Sequence, residues 1–483
     1  MVACRPLHIV HVIEQLTLGG PLNAIAGAAK HVSAPARARH RIVSLLRSQR
    51  RAREVAAENG IPVLSSPDAG TLNALLAGAD LVQLHFWNSP EIHEFMASSL
   101  PDMRVLIWCH VNGQAPPHIL PRALFEFGDI VVATAPSSLQ LPFFRAADRE
   151  RVALIPGGAD FARLEGLQAR PHAGFQVGYI GRLDFCKLHA SFVPMSAAIE
   201  VPEVRFLVCG DGRDRSVLER QAKALGVADR FSFRGYVENI ADILAQTDVF
   251  GYPLGEGNHA TGELAIQEAM YAGVPPVIFP YGGAADVVAH RHNGIIVQSE
   301  SEYSAAIAWL HKTPADRKRL GENAARDART RLGAQKSGPA LEALYERMMG
   351  QPKRSRTHIP MPADPMSEGA ERVGAWLLVH SLDGIGDADF VASLTPETES
   401  EALVAEERIS QAPPGMADVV LQYRFRHPND PHLRLWSGLV LRKRRNEIAT
   451  AEFKASLALG CDYPRVQRYF YEGLRLSSGN IED

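Results

Sequence analysis

The sequence predicts an α/β protein of two doubly wound, mainly parallel sheets in series, followed by a helical extension. Three observations carry that prediction. Short apolar strands alternate with amphipathic helical stretches through the first part of the chain; the alternation restarts after IPGGAD at 155–160; and QPKRSRTHIPMPADPMSEG at 351–369, rich in Pro, Arg and Ser, separates both series from a mainly helical remainder. At 483 residues the chain is also too long for one ordinary core.

In the first series HIVHVIE (8–14) reads as a strand, LTLGG (16–20) as a glycine turn and PLNAIAGAAKHVS (21–33) as a helix. Ile42–Leu46, Leu81–His85, Val105–His110 and Ile130–Ala133 continue as strands, with Thr71–Leu76 in a short helix. The second series opens with Phe175–Ile180 running into GRL. It continues with Arg205–Cys209 into GDG, Arg230–Phe233 into RGY and Val249–Tyr252 into PLGEG, then Pro276–Phe279 and Gly294–Val297. Near-continuous apolar strands joined by helices imply sheets covered on both faces, with ligands bound beyond the carboxyl ends of the strands. The expected domains are 1–160, 161–350, a linker at 351–369 and a helical module at 370–483. In that module 432–460 and 465–476 look alike. Gly438 and Gly473 are 35 residues apart, close to the tetratricopeptide period of about 34.

A formal charge of −3 gives no overall pull towards nucleic acid, and none is expected as a partner. The five cysteines (Cys4, Cys109, Cys186, Cys209 and Cys461) form no CxxC pair, which suits a reducing compartment. The N-terminus reads as a strand rather than a signal peptide, and no apolar run is long enough to span a bilayer. The expected location is cytoplasmic. Arg37, Arg39, Arg41, Arg47, Arg50, Arg51 and Arg53 cluster in one stretch. They form either a solvated helix surface or a face for peripheral contact with anionic lipid at the inner membrane.

The chemistry concentrates in the second series. In GYIGRLDFCKLH (178–189) a strand ends at Gly181, and Arg182 and Lys187 follow five residues apart, where both can meet one phosphate. In GNHATGELAIQEAMYAGVPPV (257–277) Thr261 and Gly262 read as a helix start with free N–H groups, and Glu268 lies two turns in. A carboxylate there can accept two hydrogen bonds from a ribose diol. In FPYGGAADVV (279–288) Gly282 and Gly283 form a tight turn where backbone can approach a ligand.

The order IPGGAD, GRLDFCK, FLVCGDG, RGYVENI, TGELAIQEAM and GVPPVIFPYGGAADVV resembles the retaining GT-B glycosyltransferases, the group 1 (family 4-like) enzymes with two Rossmann-like domains. The likeness covers roughly 5–350 and is stronger in the second domain. It implies a UDP- or GDP-type nucleotide-sugar donor, transfer to a glycan, lipid-linked or protein acceptor with retention, and no cofactor or obligatory metal. By that likeness Arg182 and Lys187 hold the diphosphate, Glu268 the ribose, and Gly282-Gly283 the donor region. Gly19 and Gly20 lie across the cleft near the donor phosphates or the acceptor, and His110 stands beside the reacting sugar. His85 is a lesser cleft candidate, and Asp211 reads as a turn residue.

One departure matters. The family's usual first acidic residue falls at Ala260. Glu263 reads as a poor substitute, because in a helix it would lie about 140° around the axis from Glu268; Glu256 or His259 on the preceding loop can reach the sugar instead. Alternatives remain: a non-catalytic glycosyltransferase-like subunit that meets a protein partner through its helical repeats, or another reaction on the same scaffold. A dehydrogenase is disfavoured, since LTLGGPLNA lacks GxGxxG.

Overall fold

The structure is a computed structural model and describes residues 5–32, 38–356 and 373–477. The first sheet has seven parallel strands. These are β1 (Leu7–Ile13), β2 (Ala38–Ser44), β3 (Val63–Ser65), β4 (Leu81–Phe86), β5 (Val105–Cys109), β6 (Ile130–Ala133) and β7 (Val152–Leu154), in the order β3-β2-β1-β4-β5-β6-β7. The second has six: β8 (Phe175–Ile180), β9 (Val204–Cys209), β10 (Phe231–Gly235), β11 (Val249–Tyr252), β12 (Pro276–Ile278) and β13 (Ile295–Ile296), in the order β10-β9-β8-β11-β12-β13. In both, the strand order reverses beside the first strand, as in doubly wound folds. Such a reversal opens a crevice at the strands' carboxyl ends.

Every residue of β4, β5, β6 and β11 is buried, which is why these strands read as apolar runs rather than alternating ones. The strands β3 and β7 were not anticipated. Each is three residues long, too short to show a period of two.

The chain forms two compact units that cut across the expected linear domains. One comprises 1–85, 103–112 and 130–353, and so carries almost all of both sheets; the other comprises 86–102, 113–129 and 354–483. Within the first unit the helix Ala334–Met349 follows the second sheet but packs on the first, where Leu341, Leu344, Tyr345 and Met348 share a core with Ile9, Leu106, Trp108 and Val132. The crossing is close. A Cβ on Gly158 would overlap the Gly333 carbonyl carbon, and Ala334 N donates to Ala159 O at 2.8 Å.

The second unit is helical. Seven helices between Val373 and Ser477 pack around Trp436, Leu433, Tyr423 and Phe390, with Ala97 and Ile119 against the same core. Trp436 donates to Ser393 Oγ at 3.0 Å, Ser393 to the buried Glu406, and Glu406 also receives Arg465 Nε at 2.8 Å and Tyr469 at 3.0 Å. The paired helices Pro431–Leu441 and Asn446–Ala458 meet at Gly438, where a Cβ would run into the Phe453 ring.

Of the expected linker, 357–369 lies outside the described residues. Its start is docked: Arg354 and the buried Arg356 both pair with Asp129, at 2.6 and 2.8 Å. Of the arginine cluster, Arg37 lies outside the described residues, Arg39, Arg41, Arg47 and Arg50 are exposed, and Arg51 pairs with Glu58 and Glu238.

Candidate functional site

Within the first unit the loops beyond the strands of both sheets meet. Asn112, two residues past His110, donates its amide Nδ2 to Asn258 O at 2.8 Å and its backbone N–H to His259 O at 3.3 Å. Thr261 Oγ1 donates to His110 O at 3.4 Å. The Gly282-Gly283 turn closes on the same loop, Gly283 N donating to Ala260 O at 2.9 Å. Gly282 has φ +59° and a Cβ there would overlap Asn258 Oδ1, so a side chain is excluded twice over. His110, Thr261, Gly282 and Gly283 are thus brought together.

The cations sit beyond β8. Arg182 is 72% exposed and held through Nε and Nη2 by Asp184 Oδ2, at 2.7 and 2.5 Å. Asp184 is itself buried and accepts Arg213 N at 2.6 Å. Lys187 is mostly covered. Its Nζ lies 3.2 Å from Glu263 Oε2 and 5.7 Å from the Tyr252 ring centre. Tyr252 donates its phenol to that same oxygen at 2.5 Å, and burial together with the Glu263 charge holds the phenol well above its usual range.

Two expectations about the helix carrying Glu268 need correction. It runs Leu264–Tyr271, not from Thr261, and Gly262 packs so tightly on Gly157 that a Cβ on it would lie 2.9 Å from Gly157 N. Glu263 is not on the helix at all. It is the N-cap, in the left-handed region at φ 39° and ψ 64°, so the angular argument against it fails. That conformation turns its carboxylate towards Lys187 rather than around the helix. A left-handed non-glycine residue is costly and has no sequence signature.

Glu268 is buried and pairs with Arg163, which sequence reasoning missed. Burial raises its pKa, and the Arg163 charge opposes the rise. Arg163 lies in a short turn after IPGGAD and carries no motif of its own. Glu256 is exposed and His259 half-buried on the loop before Ala260, which is itself buried. On the first sheet's side Gly19 caps the Gly20–Lys30 helix at φ +131°, with open space where a side chain would stand and no contact to the residues of the second sheet named above.

His110 ends a row of imidazoles. His40, His11, His85 and His110 are linked nitrogen to nitrogen at 2.8, 2.9 and 2.8 Å. Burial lowers all four pKa values, His40 to about 4 and His110 to about 3. Only His110 and His85 were singled out from the sequence, because imidazoles on neighbouring strands carry no linear spacing. Among the described residues no three His, Cys, Asp or Glu side chains are grouped so as to hold a metal ion. The histidines form a line, not a cage.

The geometry on the second sheet coincides with a family match: residues 168–327 fit the family described as Glycosyl transferases group 1. The match takes in β8 to β13 and none of the first sheet. Curated relatives align over parts of the chain. The 2-deoxystreptamine N-acetyl-D-glucosaminyltransferase of Niallia circulans is 28% identical over 122 residues, 24% of this chain and 31% of that one. The GDP-mannose-dependent alpha-mannosyltransferase of Mycolicibacterium smegmatis is 31% identical over 157 residues, 32% of this chain and 39% of that one. The chain therefore spans about a third of the length of such relatives.

Solved structures extend the likeness across both sheets. Anabaena HepE in complex with UDP-glucose is 19% identical with a TM-score of 0.59, covering 71% of this chain and 100% of that one. Sucrose-phosphate synthase from Thermosynechococcus elongatus is 17% identical with a TM-score of 0.54, covering 71% and 99%. At such identities the likeness is one of fold. The matched stretch is the second half of a GT-B arrangement of two Rossmann-like sheets, followed by a run of helices.

Proposed function

We propose that the chain is a nucleotide-sugar-dependent glycosyltransferase that moves a sugar, with retention, to a hydroxyl acceptor. The observation that carries this reading is the pairing of Lys187 with Glu263 at the cap of the Glu268 helix, beside the exposed Arg182. A departing diphosphate needs positive charge and free N–H groups where its charge grows. Arg182, with most of its side chain in solvent, meets the diphosphate first. Lys187 exchanges part of its bond to Glu263 for a phosphate oxygen. Glu268 accepts from the ribose diol once Arg163 yields an oxygen.

Across the cleft Gly19 and Gly20 let backbone approach the donor phosphates or acceptor. His110 stands beside the reacting sugar, with Gly282 and Gly283 shaping the donor region together with Thr261 and Gly262. With Ala260 in place of an acid, Glu256 or His259 contacts the donor sugar. The donor is of the UDP or GDP type; HepE was solved with UDP-glucose and the mycobacterial relative is named for GDP-mannose. No metal or cofactor is required by this scheme, the acceptor being a glycan, a lipid-linked molecule or a protein.

The C-terminal helices are read as tetratricopeptide-like, with small residues at helix contacts: Gly438 against Phe453, and Gly473 against Thr450, each with no room for a Cβ. No helix of the described residues is long and apolar enough to cross a membrane. A cytoplasmic enzyme, held at most peripherally at the inner membrane face, fits that.

The test is a thermal-shift screen of the full chain against UDP- and GDP-sugars, followed by a transfer assay with the stabilising donor. A donor raising Tm and consumed in the assay is expected. No shift with any nucleotide sugar overturns the reading.

A further inference from the structure

The histidine row has an internal logic. His40 on β2, His11 on β1 and His85 on β4 stand on adjacent strands, and His110 follows β5. Each link joins Nδ1 of one ring to Nε2 of the next: His40 to His11, His11 to His85, His85 to His110. A neutral imidazole carries one N–H and one lone pair. Each link needs one of each. If His85 bears its proton on Nδ1, its Nε2 is an acceptor, His11 must be protonated on Nδ1, and His40 likewise. His110 then receives at Nε2 and carries its own proton on Nδ1. The reverse choice propagates just as strictly. The row therefore has two states, all Nδ1–H or all Nε2–H.

A side chain outside the row breaks the tie. Gln83, fully buried on β4, places its amide nitrogen 3.2 Å from His85 Nε2. An amide nitrogen only donates, so this contact is a bond only when His85 Nε2 is the lone pair, which the Gln83 N–H then shares with the His11 N–H. That way round the amide oxygen accepts the Tyr345 hydroxyl and the nitrogen donates to His85; turned, the nitrogen would donate to the phenol oxygen and the Tyr345 proton would lose the acceptor it has here. Tyr345 comes from Ala334–Met349, the helix that returns to the first sheet. At the far end His40 Nε2 is buried with no hydrogen-bond partner. The state chosen by Gln83 leaves a lone pair there, which is more tolerable than a buried orphan N–H.

We propose that Gln83 and Tyr345 set the polarity of the row and so hold His110 in the Nδ1–H form, its Nε2 occupied by the His85 proton. Gln83, Tyr345, His85, His11 and His40 are positioning residues acting through one another. Resting on the transferase reading, the consequence is that His110 is not the base that takes the acceptor's proton. A lone pair on Nε2 is spent on His85, and Nδ1 already bears hydrogen.

The experiment is long-range proton–nitrogen correlation spectroscopy of the histidine-labelled full chain at pH 7.5, without donor. The four rings, assigned by one-at-a-time His→Asn variants, are expected to show the Nδ1–H pattern. In Gln83→Met the donor is gone. His85 and His110 are then expected to shift towards the Nε2–H form that free neutral histidine prefers. Tyr345→Phe, which frees the amide to turn, is expected to shift them less. An Nε2–H or doubly protonated His110 in the unmodified chain overturns the proposal, as does a Gln83→Met spectrum with His85 and His110 unchanged. Tautomers are read without turnover, so a chain that shows the Nδ1–H pattern but binds no nucleotide sugar would sink the transferase reading and leave the row intact.

Discussion

The two sides of the cleft handle polarity in opposite ways. On the second sheet every candidate cation has a carboxylate: Arg182 with Asp184, Lys187 with Glu263, Arg163 with Glu268. On the first sheet four largely buried imidazoles bond to one another in a line, and burial holds them neutral. In the proposed transferase the paired side takes on a diphosphate and a ribose by exchanging partners. The neutral side is built to hold one orientation. A charged pocket can be read from its charges, whereas a neutral row works through proton placement, which only partners decide.

The largest effect should come from Lys187. Under the proposed function Lys187→Met removes a diphosphate contact and is expected to lower kcat by about 10²- to 10³-fold. It also strands the buried Glu263 carboxylate, so Tm should fall. Adding Glu263→Gln should restore Tm without restoring kcat, as steady-state kinetics and thermal melts will show. Recovery of both would mean that the pair is structural only.

Acid should separate the two sides next. His40 takes up a proton near 6.5 when unfolded but only near 4 when folded. Between those values the unfolded chain binds more protons, so stability is lost as pH falls. The loss is expected to reach about 3 kcal/mol for His40 alone by pH 4. Urea titrations across this window should show it, and His40→Gln should flatten the slope. A slope unchanged in the variant would place the acid sensitivity elsewhere.

Glu268→Gln is the milder probe of the paired side. Losing one charge-assisted bond to ribose should raise KM for the donor about tenfold and leave kcat nearly unchanged. A fall in kcat with KM constant would place Glu268 at the reacting sugar instead. The smallest effect is expected from Glu256→Ala combined with His259→Ala, a roughly three- to tenfold weaker donor affinity by calorimetry. An unchanged affinity would leave the donor sugar to backbone groups at Ala260 and Gly282-Gly283.

The legibility of the molecule divides along similar lines. Strands such as β4, β5 and β11 were readable because burial on both faces demands apolar runs, and the second sheet's loops because glycines and cations recur at fixed offsets. Glu263 was misjudged because its backbone leaves the helix, which no periodicity records. Arg163 went unseen because its partner is 105 residues away in sequence. The unit boundaries were missed because 86–102 and 113–129 belong with helices near the C-terminus, and linear composition cannot show such an association.

Composition, periodicity and glycine placement alone were enough for two parallel sheets, their order of appearance and the helical tail, since these follow from local backbone preference and patterned burial. Folding in three dimensions settled the rest: which carboxylate faces Lys187, what covers Glu268, and that four imidazoles from neighbouring strands bond in a row ending at His110. Those depend on distances between side chains far apart in the chain, and the energy of a hydrogen bond or ion pair falls away within a few ångströms.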